Sequence, residues 1–192
     1  MKRLLLLIAL VTMVCGASAE KYIVIDKPSL TLTLKDGDKT LATYPVCCGM
    51  NYGQKKRRGD HKTPEGTFKI SVINNAIGWG HDFNDGKGMR NDAYGPWFFR
   101  LNTPQSKHIG IHGTCFPQSV KGRESTGCIR MRNEDISALR KHVYVGMKVI
   151  INPDTQADIA SHKDKFPPQA SQKPRHHSKS KVYRRHHRAM RR

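Results

Sequence analysis

Residues 111–131 read IHGTCFPQSVKGRESTGCIRM, with a histidine near one end and a cysteine near the other. His112 stands between apolar Ile111 and flexible Gly113, while Cys128 follows Gly127 and leads into Ile129-Arg130-Met131. Each reactive side chain therefore falls at a junction between strand and loop. Sixteen residues separate them, too many for contact within one helix but comfortable for two strands joined by a loop. A cysteine attacks only as thiolate, and its free pKa of about 8.5 leaves little of that form at neutral pH. A histidine at hydrogen-bonding distance would take the proton, giving a thiolate–imidazolium pair, and could return a proton to a leaving amine. The backbone N–H of Cys128, with that of Gly127 or Thr126, is the candidate oxyanion site, because glycine lets substrate approach the main chain closely. No acid stands nearby in sequence to orient the imidazole, so that task falls to the Gly113 carbonyl or the Ser125 hydroxyl.

Working outward, the chain before His112 reads as short β elements. KYIVID and SLTLTLK alternate apolar with polar residues, and Asp36-Gly37-Asp38 is a turn signal, so a hairpin is expected. TLATYPVCCGM continues as a third strand in which Pro45 favours a sheet edge. NYGQKKRRGDHK, polar and basic with two glycines, is expected to be a mobile loop, and Thr63-Pro64-Glu65-Gly66 is a turn feeding the strand TFKISV. Asn74 to Tyr94, rich in glycine, reads as a long functional loop or lid. WFFRL and KHIGIH then deliver the histidine. After Cys128 the period changes: Asn133 is a candidate helix cap, Glu134 and Asp135 suit the positive end, and Ile136, Leu139 and Val143 share one face. Gly146 would stop the helix and MKVIIN is a last strand. The body from Glu20 to Asn152 is thus mainly β with one short helix near its end, large enough to bury a real core.

The pieces KYIVIDKPSLTLTL, HKTPEGTFKI, GPWFFRL, GIHGT, STGCIRMRNEDISAL and GMKVIIN together resemble the L,D-transpeptidase catalytic domain (YkuD) family over nearly all of residues 20–152. That resemblance implies a β-sandwich of mixed sheets with a short helix. It implies Cys128 as nucleophile and His112 as base, with Ser125 and Gly127 in the Ser-x-Gly-Cys motif. Arg130 matches a family arginine that helps hold the site or an anionic substrate group. Where the family often has a second histidine, this chain has Thr126. The implied chemistry acts on peptidoglycan stem peptides: Cys128 acylates on a stem tetrapeptide with release of D-alanine, and an amine then takes the acyl group to give a 3→3 cross-link. Water, a free D-amino acid or a protein lysine as acceptor would instead give L,D-carboxypeptidase, exchange or protein-anchoring activity. No metal or organic cofactor is required.

The first nineteen residues carry Lys2 and Arg3, an apolar run from Leu4 to Val14, then Ala17-Ser18-Ala19, the plan of a signal peptide cleaved after Ala19. The run is shorter than the roughly 20 residues that span a bilayer, and Val14 before Cys15 argues against a lipoprotein. Export to the periplasm or cell wall is the expectation. The formal net charge is +19. From Pro153 onward eleven Lys and Arg stand against three Asp, so residues 153–192 read as a disordered basic tail attracted to anionic cell-envelope polymers or lipid headgroups. No nucleic-acid module accompanies the charge. With Cys15 removed, Cys47, Cys48, Cys115 and Cys128 remain, and a bridge from Cys47 or Cys48 to Cys115 is conceivable in an exported protein. Two rival classes stand beside the enzyme: a structural zinc site on His112, Cys115 and Cys128, and a catalytically dead wall-binding module.

Overall fold

Strand alternation builds the first layer. In β1 (Lys21–Asp26) Ile23 and Ile25 are fully buried, and in β2 (Thr31–Asp36) so are Leu32 and Leu34. The two strands run antiparallel with Ile23 opposite Leu34 and Ile25 opposite Leu32, which puts all four on one face. Gly37, at φ 55°, turns the chain into β3 (Lys39–Pro45). That strand lies at the sheet edge, where Pro45 removes no ladder donor that a neighbour needs.

The computed structural model describes residues 20–83 and 85–165. The leader at 1–19 and the tail beyond 165 lie outside the described residues. After β3 come β4 (Cys48–Gly49), β5 (Gly66–Asn75), β6 (His81–Asp82), β7 (Met89–Arg90), β8 (Trp97–Leu101), β9 (Gly110–His112), β10 (Arg123–Ser125), β11 (Ile129–Arg130), helix α1 (Asn133–Arg140), β12 (Lys148–Asn152) and helix α2 (Gln156–Ser161). Eight strands form one mixed sheet in the order β11-β9-β8-β5-β12-β1-β2-β3, accompanied by two-stranded pairs β10-β4 and β6-β7. β1 and β12, from the two ends of the domain, are parallel neighbours near its middle.

The sheet curls. The third strand expected through TLATYPVCCGM ends at Pro45, and the chain crosses to the other edge, where Cys47 N–H donates to the Arg130 carbonyl at 2.8 Å and Arg130 N–H to the Cys47 carbonyl at 3.0 Å. Inside the curl lie Ile70, Phe99, Leu101, Ile111, Ile129 and Met131, capped by Ile136 and Leu139 of α1. The expected mainly β architecture of mixed sheets with few helices is what the chain adopts.

Two segments depart from expectation. The basic loop after Gly49, expected to be mobile, is tied together by Asp60. Its carboxylate accepts the backbone N–H groups of Lys56, Arg57 and Lys62 at 2.7–3.1 Å and pairs with the buried Lys55 ammonium at 2.6 Å. Burial pushes that carboxyl up, but these donors outweigh it and hold Asp60 below the usual range. Likewise the stretch from 153 to 165 is structured. Asp154 is buried and pairs with Lys27 at 2.7 Å and with Arg123, while α2 opens on a capping box between Thr155 and Asp158. His162 stacks on Tyr52 at 4.1 Å and Lys165 N–H donates to Asn51 at 2.9 Å.

Lys27 is the centre of this clasp. Fully buried, its ammonium also meets Glu65 at 2.5 Å and the Gly53 carbonyl at 3.1 Å. Pairing between distant segments thus carries ordered contacts past Asn152. Removing one partner of a buried network leaves the others uncompensated, at about 3–5 kcal/mol. Lys27→Met should therefore lower unfolding stability by that amount in urea titrations. A chain ending at Asn152 should unfold at lower urea than one ending at Lys165; equal midpoints would show that Asp154 contributes nothing.

Candidate active site

Parallel pairing of β9 and β11 sets Ile129 opposite Ile111 and Arg130 opposite His112. Cys128 precedes β11 by one residue, so by alternation its side chain shares the face of Arg130 and, across the ladder, of His112. A parallel pair needs a crossover of a dozen or more residues, and 113–127 supplies it.

The turn ahead of Cys128 is tied from both sides. Ser125 Oγ donates to the Cys128 carbonyl at 2.6 Å and accepts the Gly127 N–H at 3.0 Å. Thr63 Oγ1 donates to the Gly127 carbonyl at 3.0 Å and accepts Gly49 N–H at 2.8 Å. Gly127 sits at φ 131°, and a Cβ there would come within 2.7 Å of the Lys62 carbonyl oxygen, so only glycine fits. These bonds correct the expected oxyanion set: the Gly127 N–H is already engaged. They also give Ser125 a structural task in the turn, not the orientation of the imidazole.

His112 is held by the other expected partner. Its Nδ1–H donates to the Gly113 carbonyl at 2.5 Å, which leaves Nε2 as the free, unprotonated nitrogen. The ring stacks on Phe98 at 5.3 Å and meets the edge of Tyr94 at 5.0 Å. Asn133 steadies the loop after it, because its Oδ1 accepts the Thr114 N–H at 2.8 Å. That side chain was expected to cap α1, whose cap position is instead Arg132.

The Cys128 thiol faces the His108 carbonyl at 3.4 Å, and among the described residues no hydrogen bond joins it to His112. Burial pushes the thiol up, against the Gly110 backbone, Arg130 and Lys55, which favour the thiolate. Burial also pushes His112 down to about 3, only partly opposed by Gly113 and reinforced by Arg130 and His81. Both shifts favour the neutral forms over the expected thiolate–imidazolium pair, since neither charge is well solvated there.

Aromatic rings surround the pair. His81 Nδ1 lies 3.1 Å from the Tyr94 hydroxyl, and Phe83 stacks edge-on to His81 at 4.6 Å and to Phe116 at 5.2 Å, so the hairpin β6-β7 forms an aromatic wall beside the pair. Phe98 joins that wall because it stands opposite His112 across β8-β9. Thr126 is exposed beside Cys128, and Arg130 is buried. Cys47, Cys48 and Cys115 are free thiols, so the conceivable bridge to Cys115 is absent. Cys47 and Cys48 are locked by backbone pairing inside the curl, with burial pushing Cys48 up to about 12, whereas Cys115 lies on the outer loop. Among the described residues no three His, Cys, Asp or Glu side chains converge to hold a metal ion, so His112, Cys115 and Cys128 do not form the zinc set considered.

Two pH effects follow from the neutral pair. Iodoacetamide should label Cys128 slowly at neutral pH and faster only above the ordinary thiol value of 9.0; an inflection below pH 7 would reveal a preformed thiolate. Because the folded His112 pKa lies below its unfolded value of 6.5, its contribution to stability is present above that pH. It is lost as pH falls toward about 3, at up to roughly 1.4 kcal/mol per pH unit. Urea midpoints of wild type should fall over this window, and those of His112→Gln should fall less.

Comparisons with known proteins agree on one family. The model of the YkuD L,D-transpeptidase catalytic domain matches residues 20–151. The Bacillus subtilis protein YkuD, assigned as an L,D-transpeptidase, is 33% identical over 131 residues, which cover 68% of this chain and 65% of that protein. YqjB of the same organism, also assigned as an L,D-transpeptidase, is 27% identical over 139 residues, 72% of this chain and 74% of its own length. The fold is similar to that of L,D-transpeptidase 3 from Mycobacterium tuberculosis, solved with a faropenem-derived adduct, at a TM-score of 0.53 and 16% identity over 70% of this chain and 60% of that one. The chain spans about 65% of the length of YkuD. From its sequence and its fold alike, the chain belongs to the L,D-transpeptidase catalytic domain (YkuD) family.

Proposed function

We propose that the protein is an exported L,D-transpeptidase acting on peptidoglycan stem peptides, with Cys128 as nucleophile and His112 as general base. The observation that carries this reading is the shared face of Cys128 and His112, with His112 Nε2 unprotonated. The thiol attacks the carbonyl of the third stem residue while Nε2 takes its proton. Because the proton moves as the S–C bond forms, neither residue has to hold an isolated charge in a site that solvates it poorly. The Cys128 N–H, with Thr126, meets the developing oxyanion. Collapse of the tetrahedral intermediate breaks the C–N bond, and imidazolium returns the proton to the departing D-alanine.

The resulting thioester passes its acyl group to an amine and forms a 3→3 cross-link. The leader at 1–19 would deliver the domain to the periplasm or wall, and the basic residues past 165 would hold it near anionic envelope polymers or lipid headgroups. A wall-binding module without activity is the competing view, and it gives no reason for an unprotonated Nε2 on the same face as a thiol.

Exposure of the purified protein to a carbapenem, read by intact mass, tests the nucleophile. Wild type should gain one adduct and Cys128→Ala none; equal labelling of both would refute the assignment. His112→Gln should reduce D-alanine release from a stem tetrapeptide by at least about 100-fold.

A further inference from the structure

The peptide unit that joins Gly127 to Cys128 faces two ways. Its carbonyl, on Gly127, accepts the Thr63 hydroxyl at 3.0 Å in the interior. Its N–H, on Cys128, meets no acceptor among the described residues. In a trans peptide C=O and N–H point in opposite directions, and none of the described peptide bonds is cis. The hydroxyl that holds the carbonyl therefore decides where the N–H aims.

Thr63 is itself locked. It is fully buried, and Gly49 N–H donates to its Oγ1 at 2.8 Å. The hydroxyl hydrogen is thus left for the Gly127 carbonyl, which can only accept. Gly49 has to be glycine for this contact, because a Cβ there would lie 2.8 Å from the Thr63 nitrogen. From the other side the buried Lys27 ammonium reaches the Thr63 carbonyl at 3.4 Å.

We propose that Thr63 is a positioning residue for acyl transfer: through the Gly127 carbonyl it aims the Cys128 N–H at the oxygen that becomes negative when the thiol attacks. The inference rests on the reading of Cys128 as nucleophile. As the S–C bond forms and the thiol proton passes to His112, the carbonyl π pair moves onto oxygen, where the Cys128 N–H meets it. Collapse restores the C=O bond, breaks the C–N bond and sends D-alanine off with that proton. A donor on the Gly127 carbonyl also polarises the peptide, so its N–H donates more strongly. Without the hydroxyl the peptide plane is free to rotate. Reactions that build an oxyanion then suffer, and reactions that build none do not.

Two reactions of the same thiol separate these cases. Acylation by a carbapenem passes through an oxyanion, whereas alkylation by iodoacetamide displaces iodide and forms none. Both rates are followed on the full chain at one pH, by peptide mass at Cys128. Thr63→Val should acylate at least about tenfold more slowly while its alkylation stays within about twofold of wild type. Thr63→Ser, which keeps the hydroxyl, should restore acylation. If circular dichroism shows the valine variant unfolded, Thr63→Cys replaces it: a thiol is a weak donor, and acylation relative to alkylation should still fall at least about threefold. Equal slowing of both reactions overturns the proposal, because a threonine that only supports the fold acts on both. Unchanged acylation overturns it as well, as does a serine variant as slow as the valine one. A wild-type Cys128 that alkylates but never acylates sinks the acyl-transfer reading itself, and this proposal with it, whatever the variants do.

Discussion

The parallel pairing of β9 with β11 is the constraint on which the site depends. Its register, Ile129 with Ile111 and Arg130 with His112, sets three chemically active side chains on one face although two of them come from distant parts of the chain. A slip of one residue would turn Cys128 and Arg130 to the opposite face. The surrounding bonds all resist that slip. Cys47 clamps Arg130 from the outer side, Ser125 and Thr63 hold the turn at Gly127, and Asn133 pins the loop leaving His112. The two edges of one short strand thus serve closure of the curl and assembly of the site.

Buried charge is handled in two opposite ways. Far from the thiol, Lys27 is enclosed by Glu65 and Asp154, Arg123 lies on Asp154, and Arg123 stacks over Tyr52 at 3.8 Å. Every charge there has a partner, and the result is a rigid clasp joining the β1-β2 turn to the segment after β12. Beside the thiol the pattern reverses. Burial favours the neutral forms of Cys128 and His112, and among the described residues no carboxylate pairs with Arg130. A site that solvates charge poorly at rest strengthens each interaction made when charge develops on a bound group.

Much was legible from residue order. Alternation in KYIVID and TLTLK, the turn at Gly37, the edge position implied by Pro45 and the apolar face of Ile136 and Leu139 all correspond to observed elements, because each depends on neighbours within a few residues. The Gly113 carbonyl as the partner of His112 was also within reach, being one residue away. What eluded the sequence were interactions between distant segments. The clasp on Lys27 joins residues up to 127 positions apart. The loop organised by Asp60 was misread as mobile because its composition is that of a solvated stretch, and one inward-turned lysine reverses the outcome.

By itself the sequence determined the kind of chemistry and the strands that carry it, since a cysteine and a histidine flanked by glycines at strand ends are local features of the chain. Tertiary structure decided which atoms remain free to act. It committed the Gly127 N–H to Ser125, put the His112 proton on Nδ1 so that Nε2 is left without one, and pushed the Cys/His pair towards its neutral forms. Hydrogen-bond occupancy and solvation depend on what the rest of the chain brings into contact, and that is known only once the sheet has curled and closed through Cys47.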